Sequence, residues 1–290
     1  MNCNSIAIVG GDLRFVRLCK ILCDKGIDTW VYGISHPDIP KEANICSSLE
    51  DLKNCSYIIG PMPFSHDGKS VFTPLSNTYI SIELFIDTIA NSFLIAGALR
   101  KDVKLLLDKH KLQYTDLMQM DEVAILNAIP TAEGAIQYAM QNSEITLHDS
   151  RCLILGFGRC GKILAHKLMG LGARVSVEAR STTDLAFIST YGYTPIPLDT
   201  LKEYLGNFDF IFNTIPIILL DKEAIDHFSP HAIYVELASN PGGIDINYCH
   251  EKGINHVPAP SLPGKVAPVT AAKSIYQGLL LILRNQGANL

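Results

Sequence analysis

Six residues near the middle of the chain, Gly156-Phe157-Gly158-Arg159-Cys160-Gly161, have the spacing a backbone needs to cradle a diphosphate. Alone, GxGxxG is a weak signal. Here it follows the apolar run Cys152 to Leu155 and opens a helix-forming stretch, Lys162 to Met169. Gly172 then leads into a second apolar run. That is the full setting of a dinucleotide fingerprint. Gly156 permits the tight turn, Gly158 lets the backbone approach a pyrophosphate, and Gly161 lets helix and strand pack closely. The helix N-terminus supplies unpaired N–H groups and a positive dipole end. The expected ligand is a nicotinamide dinucleotide, in a Rossmann unit that begins at Arg151 and reaches Ser181.

The end of the second strand selects the cofactor. An NAD-type unit places Asp or Glu there to accept from the ribose 2′-OH, and this spacing puts Ala179 at that position, followed by Arg180 and Ser181. A guanidinium and a hydroxyl suit a 2′-phosphate, which a carboxylate would repel. NADP is therefore the expected cofactor and NAD the alternative. The alternative rests on Glu178. Strand alternation turns it to the other face, but a one-residue slip would make it an NAD-type acid.

Two further strand tips carry polar groups. Asn213-Thr214-Ile215-Pro216 can face the ribose or nicotinamide, and the stretch Glu236 to Gly243, with Ala238 and Ser239, can meet the nicotinamide end. For the substrate, Lys265 in the proline-rich stretch Ala259 to Pro268 is a cation for an acidic group. The helix that starts near Val269 offers its N-terminus. Arg14, after Gly10-Gly11-Asp12, could clamp a carboxylate or be a surface arginine. Glu133, read as one turn inside a helix and facing a cleft, is the candidate acid–base carboxylate, with Thr131 beside it to hydrogen-bond substrate. A first-turn glutamate that stabilises the helix dipole accounts for Glu133 equally well. Ser65-His66-Asp67-Gly68 reads as a loop, since adjacent Ser and His do not converge. No metal site is expected.

Such groups need rigid elements to hold them. Apolar runs at Ile6 to Val9, Asp28 to Tyr32, Tyr57 to Gly60, Ile80 to Ile82 and Phe93 to Ala96 alternate with helical stretches, the first from Leu13 to Lys25. A second series has strands at Arg151 to Leu155, Arg174 to Ala179, Thr194 to Ile196, Phe210 to Asn213, Ala232 to Glu236 and Asn255 to Val257. Buried β-branched runs in β-α-β rhythm imply parallel sheets covered by helices. The expected fold is α/β, with two doubly wound parallel-sheet domains. Residues 1–126 form an N-terminal catalytic or substrate domain and 127–268 the Rossmann NADP-binding domain. Residues 269–290 form a C-terminal helix returning to the first domain. Asn127 to Gln141 is read as the linking helix, with Pro130 in its first turn.

The 290 residues suffice for about two domains. A net charge of -5 argues against nucleic acid, which needs a basic stripe. The eight cysteines form no CxxC pair and read as mostly buried thiols in a reducing cytosol. No leader pattern is seen, and the longest apolar runs are too short for a bilayer, so a cytoplasmic protein without a membrane partner is expected.

The chain resembles the A subunit of dipicolinate synthase from spore-forming bacteria. The resemblance rests on Ile8 to Asp12, Asn127 to Gly134, Leu155 to Gly161, Ala179 to Ser181, Asn213 to Pro216, Leu237 to Gly243 and Ala259 to Pro268. Asn240 and Lys265 depart from the family pattern. The resemblance implies NADP-dependent oxidation of dihydrodipicolinate, or its hydroxytetrahydro precursor from the lysine pathway, to dipicolinate. It implies a dicarboxylate substrate and the flavoprotein-like B subunit of dipicolinate synthase as partner, in the mother cell during sporulation. A homo-oligomer also stays among the assemblies considered. In that reading Arg14, Lys265 or the last helix meets the substrate carboxylates and Glu133 removes a proton. The alternatives are a 2-hydroxy- or amino-acid dehydrogenase, and a cofactor-holding subunit whose chemistry lies in its partner.

Overall fold

The computed structural model describes residues 5–287, and Cys3 lies outside them. Among the described residues the chain forms two compact units. One is residues 5–127 with 267–287, and the other is Ala128–Val266.

The first unit is built on β1 (Ile6–Val9), α1 (Leu13–Asp24), β2 (Thr29–Tyr32), β3 (Asn44–Ile45) and β4 (Tyr57–Ile59). It continues with α2 (Ile82–Thr88), β5 (Phe93–Ala96), α3 (Lys101–Lys109) and β6 (Tyr114–Asp116). The strands are all parallel, in the order β3-β2-β1-β4-β5-β6. The period-2 pleat divides β1 between two cores. Ile6 and Ile8 join Phe15, Cys19 and Leu22 of α1, while Ala7 and Val9 join Phe85, Val103 and Leu107 of α2 and α3. Burial on both faces explains why these strands are unbroken apolar runs.

Helix α4 (Asp121–Gln141) begins in this unit and ends in the second. The second unit then runs β7 (Arg151–Leu155), α5 (Arg159–Gly170), β8 (Arg174–Ala179), α6 (Thr182–Thr190), β9 (Thr194–Pro197), α7 (Leu201–Tyr204) and β10 (Phe210–Asn213). It closes with α8 (Lys222–Asp226), β11 (Ile233–Glu236), α9 (Ile246–Glu251), β12 (Asn255–Pro258) and α10 (Leu262–Val266). Its parallel order is β12-β11-β10-β7-β8-β9. Strand order therefore reverses at β7, with β8 on one side and β10 on the other, the place where such sheets bind ligands. Leu164, Ala165 and Leu168 of α5 pack on Ile154 and Val177, and each full aliphatic burial is worth about 1.5–3 kcal/mol. Helix α10 packs against α4 where a Cβ on Gly134 would lie 3.0 Å from Leu262, so the two motifs that looked separate in sequence meet.

The chain returns to the first unit in α11 (Pro268–Asn285). Its Ala272, Ile275, Leu279, Ile282 and Leu283 complete the core of α1 and β1.

Several expectations need correction. Ile80 to Ile82 is not a strand. Its isoleucines are buried for packing, Ser81 makes one isolated bridge to Ser70, and Ile82 opens α2. The short edge strands β3 and β6 were not legible as apolar runs. Helix α4 starts at Asp121, where Asp121 and Glu122 suit the dipole, and Pro130 lies in its interior. The stretch after β12 is not all loop, because Leu262 to Val266 is helical.

Candidate functional site

The glycine turn after β7 has the geometry its spacing implies. Gly156 has φ +94°, a left-handed region that favours glycine. A Cβ on Gly161 would lie 2.1 Å from the Gly156 carbonyl oxygen, so α5 can approach the turn only without a side chain. Gly158 is the N-cap of α5 and has no side chain to cap it. A Cβ there would meet nothing within 4 Å and would project into open space above the turn. No acidic residue lies in the first turn. Phe157 is 6% exposed in the core beneath, with the Lys162 ammonium 5.0 Å from its ring centre, while Arg159 is exposed and Cys160 half-buried. Burial raises the Cys160 thiol pKa against the pull of Arg159. The uncapped N-terminus and the free space above Gly158 fit a diphosphate.

The equivalent turn of the first unit is closed to one. Asp12 caps α1 by accepting from the Arg14 amide at 3.1 Å, which places a carboxylate where a phosphate would sit. Phe72 and Thr73 cover Gly10. Arg14 itself is 3% exposed. Its Nε and one terminal nitrogen bond Asp12 at 2.9 and 2.8 Å, and that nitrogen also reaches the Met62 carbonyl. The expectation of a carboxylate clamp is therefore corrected: Arg14 is charge-neutralised inside the fold and shapes its own turn. Ser65 to Gly68 is a loop held by Asp67, which accepts from Ser65, Lys69 and Ser70. Those bonds hold its pKa far below the usual carboxylate range.

At the tip of β8, Ala179 is buried on the face of Val177, whereas Arg180 and Ser181 are exposed. Ser181 caps α6 by accepting from the Asp184 amide at 3.3 Å, and its hydroxyl hydrogen is not used in that bond. Arg180 makes no salt bridge among the described residues and borders a cavity of about 480 Å³ with Thr182, Leu185, Pro197, Leu198 and Asp199. Glu178 lies between Leu155 and Ile196 in the sheet register, on the face opposite Ala179. It is 1% exposed and neither carboxylate oxygen has a hydrogen-bond partner. Burial raises its pKa, opposed by the nearby Gly156 amide and the Arg180 charge.

The tips of β10 and β11 share one buried network. Asn213 is fully buried. Its Nδ2 donates to Glu236 at 2.7 Å and to the Ile215 carbonyl at 2.9 Å, and its Oδ1 accepts from Ile215 N. Direct contact with a ligand is thus excluded for Asn213 in this conformation, a second correction. Thr214 donates to the Leu155 carbonyl at 2.8 Å and sits over Gly156, so it borders the turn. Pro216 and Ser239 are exposed and Ala238 half-buried. Glu236, which opens the stretch read at the nicotinamide end but was given no role of its own, accepts from Asn213, Ala238 N, Gly243 N and the Tyr234 hydroxyl. The signal was there: a carboxylate ending a buried strand needs donors, and Gly242-Gly243 follows closely enough to give one.

Glu133 lies mid-helix, not in a first turn. Its side chain is 56% exposed and bonds Lys167 of α5 at 2.8 Å. A solvated surface pair gives no support to a desolvated base. Thr131 is half-buried on the same helix. Lys265, in the last turn of α10, is exposed and makes no salt bridge among the described residues.

The comparisons with known proteins follow the same division. Residues 5–118 match the N-terminal domain of the dipicolinate synthase A subunit. Residues 124–240 match the NAD binding domain of D-isomer specific 2-hydroxyacid dehydrogenases. The A subunit of dipicolinate synthase of Bacillus subtilis (strain 168) is 32% identical over 282 residues, 96% of this chain and 95% of that one. The crystal structure of the dipicolinate synthase A subunit from Bacillus halodurans superposes with a TM-score of 0.89 at 30% identity, covering 97% of this chain and 98% of the other. A transhydrogenase from Sinorhizobium meliloti, at 16% identity and a TM-score of 0.67 over 97% and 92%, shares the fold alone. Fold and site together define an α/β protein of dehydrogenase type, with a Rossmann unit for a nicotinamide cofactor. Within that class, the chain belongs to the family of dipicolinate synthase A subunits.

Proposed function

We propose that this chain oxidises dihydrodipicolinate, or its hydroxytetrahydro precursor, to dipicolinate with NADP⁺, as the A subunit of dipicolinate synthase. The observation that carries the reading is the uncapped N-terminus of α5, open above Gly158, in a member of this family. The B subunit is the partner in this reading, and the mother cell cytoplasm during sporulation is the setting. No helix among the described residues is long and apolar enough to cross a membrane.

The nicotinamide, when bound, supplies a hydride acceptor. The backbone N–H groups at the start of α5 hold the diphosphate. Arg180 and the Ser181 hydroxyl meet the 2′-phosphate, which no carboxylate at position 179 repels. Thr214, Pro216, Ala238 and Ser239 border the ring end. Lys265 is the cation offered to a substrate carboxylate. The substrate gives up a ring proton to solvent along with its hydride, the hydroxytetrahydro form having lost water first. The gain of aromaticity drives the step, so the protein mainly orients two rings and excludes competing geometries. Glu133 is not assigned as base.

The test is an assay of the full chain with NADP⁺ and the lysine-pathway intermediate, with and without the B subunit. Dipicolinate formed by the chain alone supports the reading. Formation only with the B subunit present moves the chemistry to the pair, and turnover of lactate-like acids instead overturns it. Arg180→Ala should weaken NADP⁺ binding about 10- to 100-fold, the worth of a charge-assisted hydrogen bond, and leave NAD⁺ nearly unchanged. Equal losses for both cofactors would remove Arg180 from the 2′-phosphate site.

A further inference from the structure

Two loops leave the carboxyl ends of β10 and β11, where sheets of this topology meet their ligands. The first, Thr214 to Leu219, is pinned at its start by the Asn213 amide, which bonds both N and O of Ile215. It is pinned at its end by Leu219 N and Leu220 N, which donate to the Gly243 carbonyl at 3.0 Å each. The second, Leu237 to Gly243, is gripped near both ends by one side chain. Glu236 Oε1 accepts from Ala238 N at 3.0 Å and Oε2 accepts from Gly243 N at 2.8 Å. The same carboxylate takes Asn213 Nδ2 at 2.7 Å and the Tyr234 hydroxyl at 3.2 Å. A single group that is 9% exposed therefore sets the geometry of both loops at once.

We propose that Glu236 is the positioning residue for the nicotinamide half of the cofactor. It lies beneath the loops and acts through them, by fixing Ala238, Ser239, Thr214 and Pro216. All four of its partners are donors, so only an acceptor on both oxygens satisfies them. The adenosine half has its own support at the tip of β8, which shares no hydrogen bond with this hub among the described residues. Loss of the hub should therefore divide the cofactor into an affected and an unaffected half. This inference rests on the reading of the second unit as the dinucleotide domain.

The test compares full-length wild type and Glu236→Gln. Gln is isosteric, but its NH2 group must face donors on one side. Binding is measured for NADPH and NADH, and for the fragments adenosine 2′,5′-bisphosphate and AMP, which lack the nicotinamide. The expected result is a loss of about tenfold or more for the dinucleotide, the scale of one lost buried hydrogen bond, with fragment binding changed less than about twofold. Nicotinamide fluorescence enhancement on binding should fall as well. Equal losses for dinucleotide and fragment, or no loss for either, overturn the proposal. Should Glu236→Gln fail to fold, Tyr234→Phe decides. It removes only the 3.2 Å bond and keeps the ring stacked near Phe228 and His256. A smaller loss confined to the dinucleotide supports the proposal, and a loss shared by the fragment, or none, overturns it. Wild type that binds no dinucleotide would sink the underlying reading instead, and shows itself before any substitution is made.

Discussion

Glu178 is the residue least at ease in the second unit. It is buried between Leu155 and Ile196 with neither oxygen bonded. In the unfolded chain it ionises in the ordinary range, near about 4.3. In the fold burial raises that value. The native state then holds the proton more tightly, so its stability falls as pH rises from the ordinary range through the raised folded value. Glu178→Leu should be more stable than wild type at pH 8, by roughly 1–3 kcal/mol, and the gap should narrow toward pH 4. Thermal melts across that range check it. A variant no more stable at any pH would show that the carboxylate has a partner. Where the strands end was legible, because spacing fixes it, but what each side chain there does was not. Arg14, Asn213 and Glu133 misled, because each has the right chemistry and an internal partner that no spacing reveals. The thiols were easier. Burial raises Cys19 and Cys152 to about 12 and Cys46 and Cys249 to about 11, which leaves them inert near neutrality.

The glycines of the turn separate binding from folding at the scale of the strand–helix element. Gly158→Ala places a methyl in open space, so the melting temperature should hold while dinucleotide binding falls about tenfold or more. Gly161→Ala drives a Cβ against the Gly156 carbonyl, so both stability and binding should fall. Isothermal titration with parallel melts distinguishes them, and a stable Gly158→Ala variant with unchanged affinity would place the diphosphate elsewhere. Long central strands and α1, α5 and α11 were readable in the sequence because burial on both faces, or an apolar stripe, leaves a periodic mark. Helix α4 misled because Asn127 and Pro130 imitate a helix start. The helix nevertheless runs continuously through Pro130, and beyond it Ala132, Ala135, Ile136 and Ala139 are buried in the second unit's core.

For the molecule as a whole, the two units should melt as distinguishable transitions, since each has its own core. A bound dinucleotide should raise the transition of the second unit. Leu279→Ala, at a fully buried position of α11, should lower that of the first by about 2–5 kcal/mol. Calorimetry with and without cofactor reads both shifts, and a single transition moved by either change would show the units to be one cooperative body.

The interrupted path of the first unit, which closes only with α11, also sets an order of events at the ribosome. Synthesis runs from the amino end, so the second unit has all its residues once Val266 has emerged. The first still lacks the helix that covers Phe15, Cys19 and Leu22 of α1. A nascent chain stalled or cut before α11 would therefore carry a sound nucleotide module beside a bare oily seam. Chaperones and proteases read such a seam as damage. Helix α11 thus serves as the closing piece of the first unit.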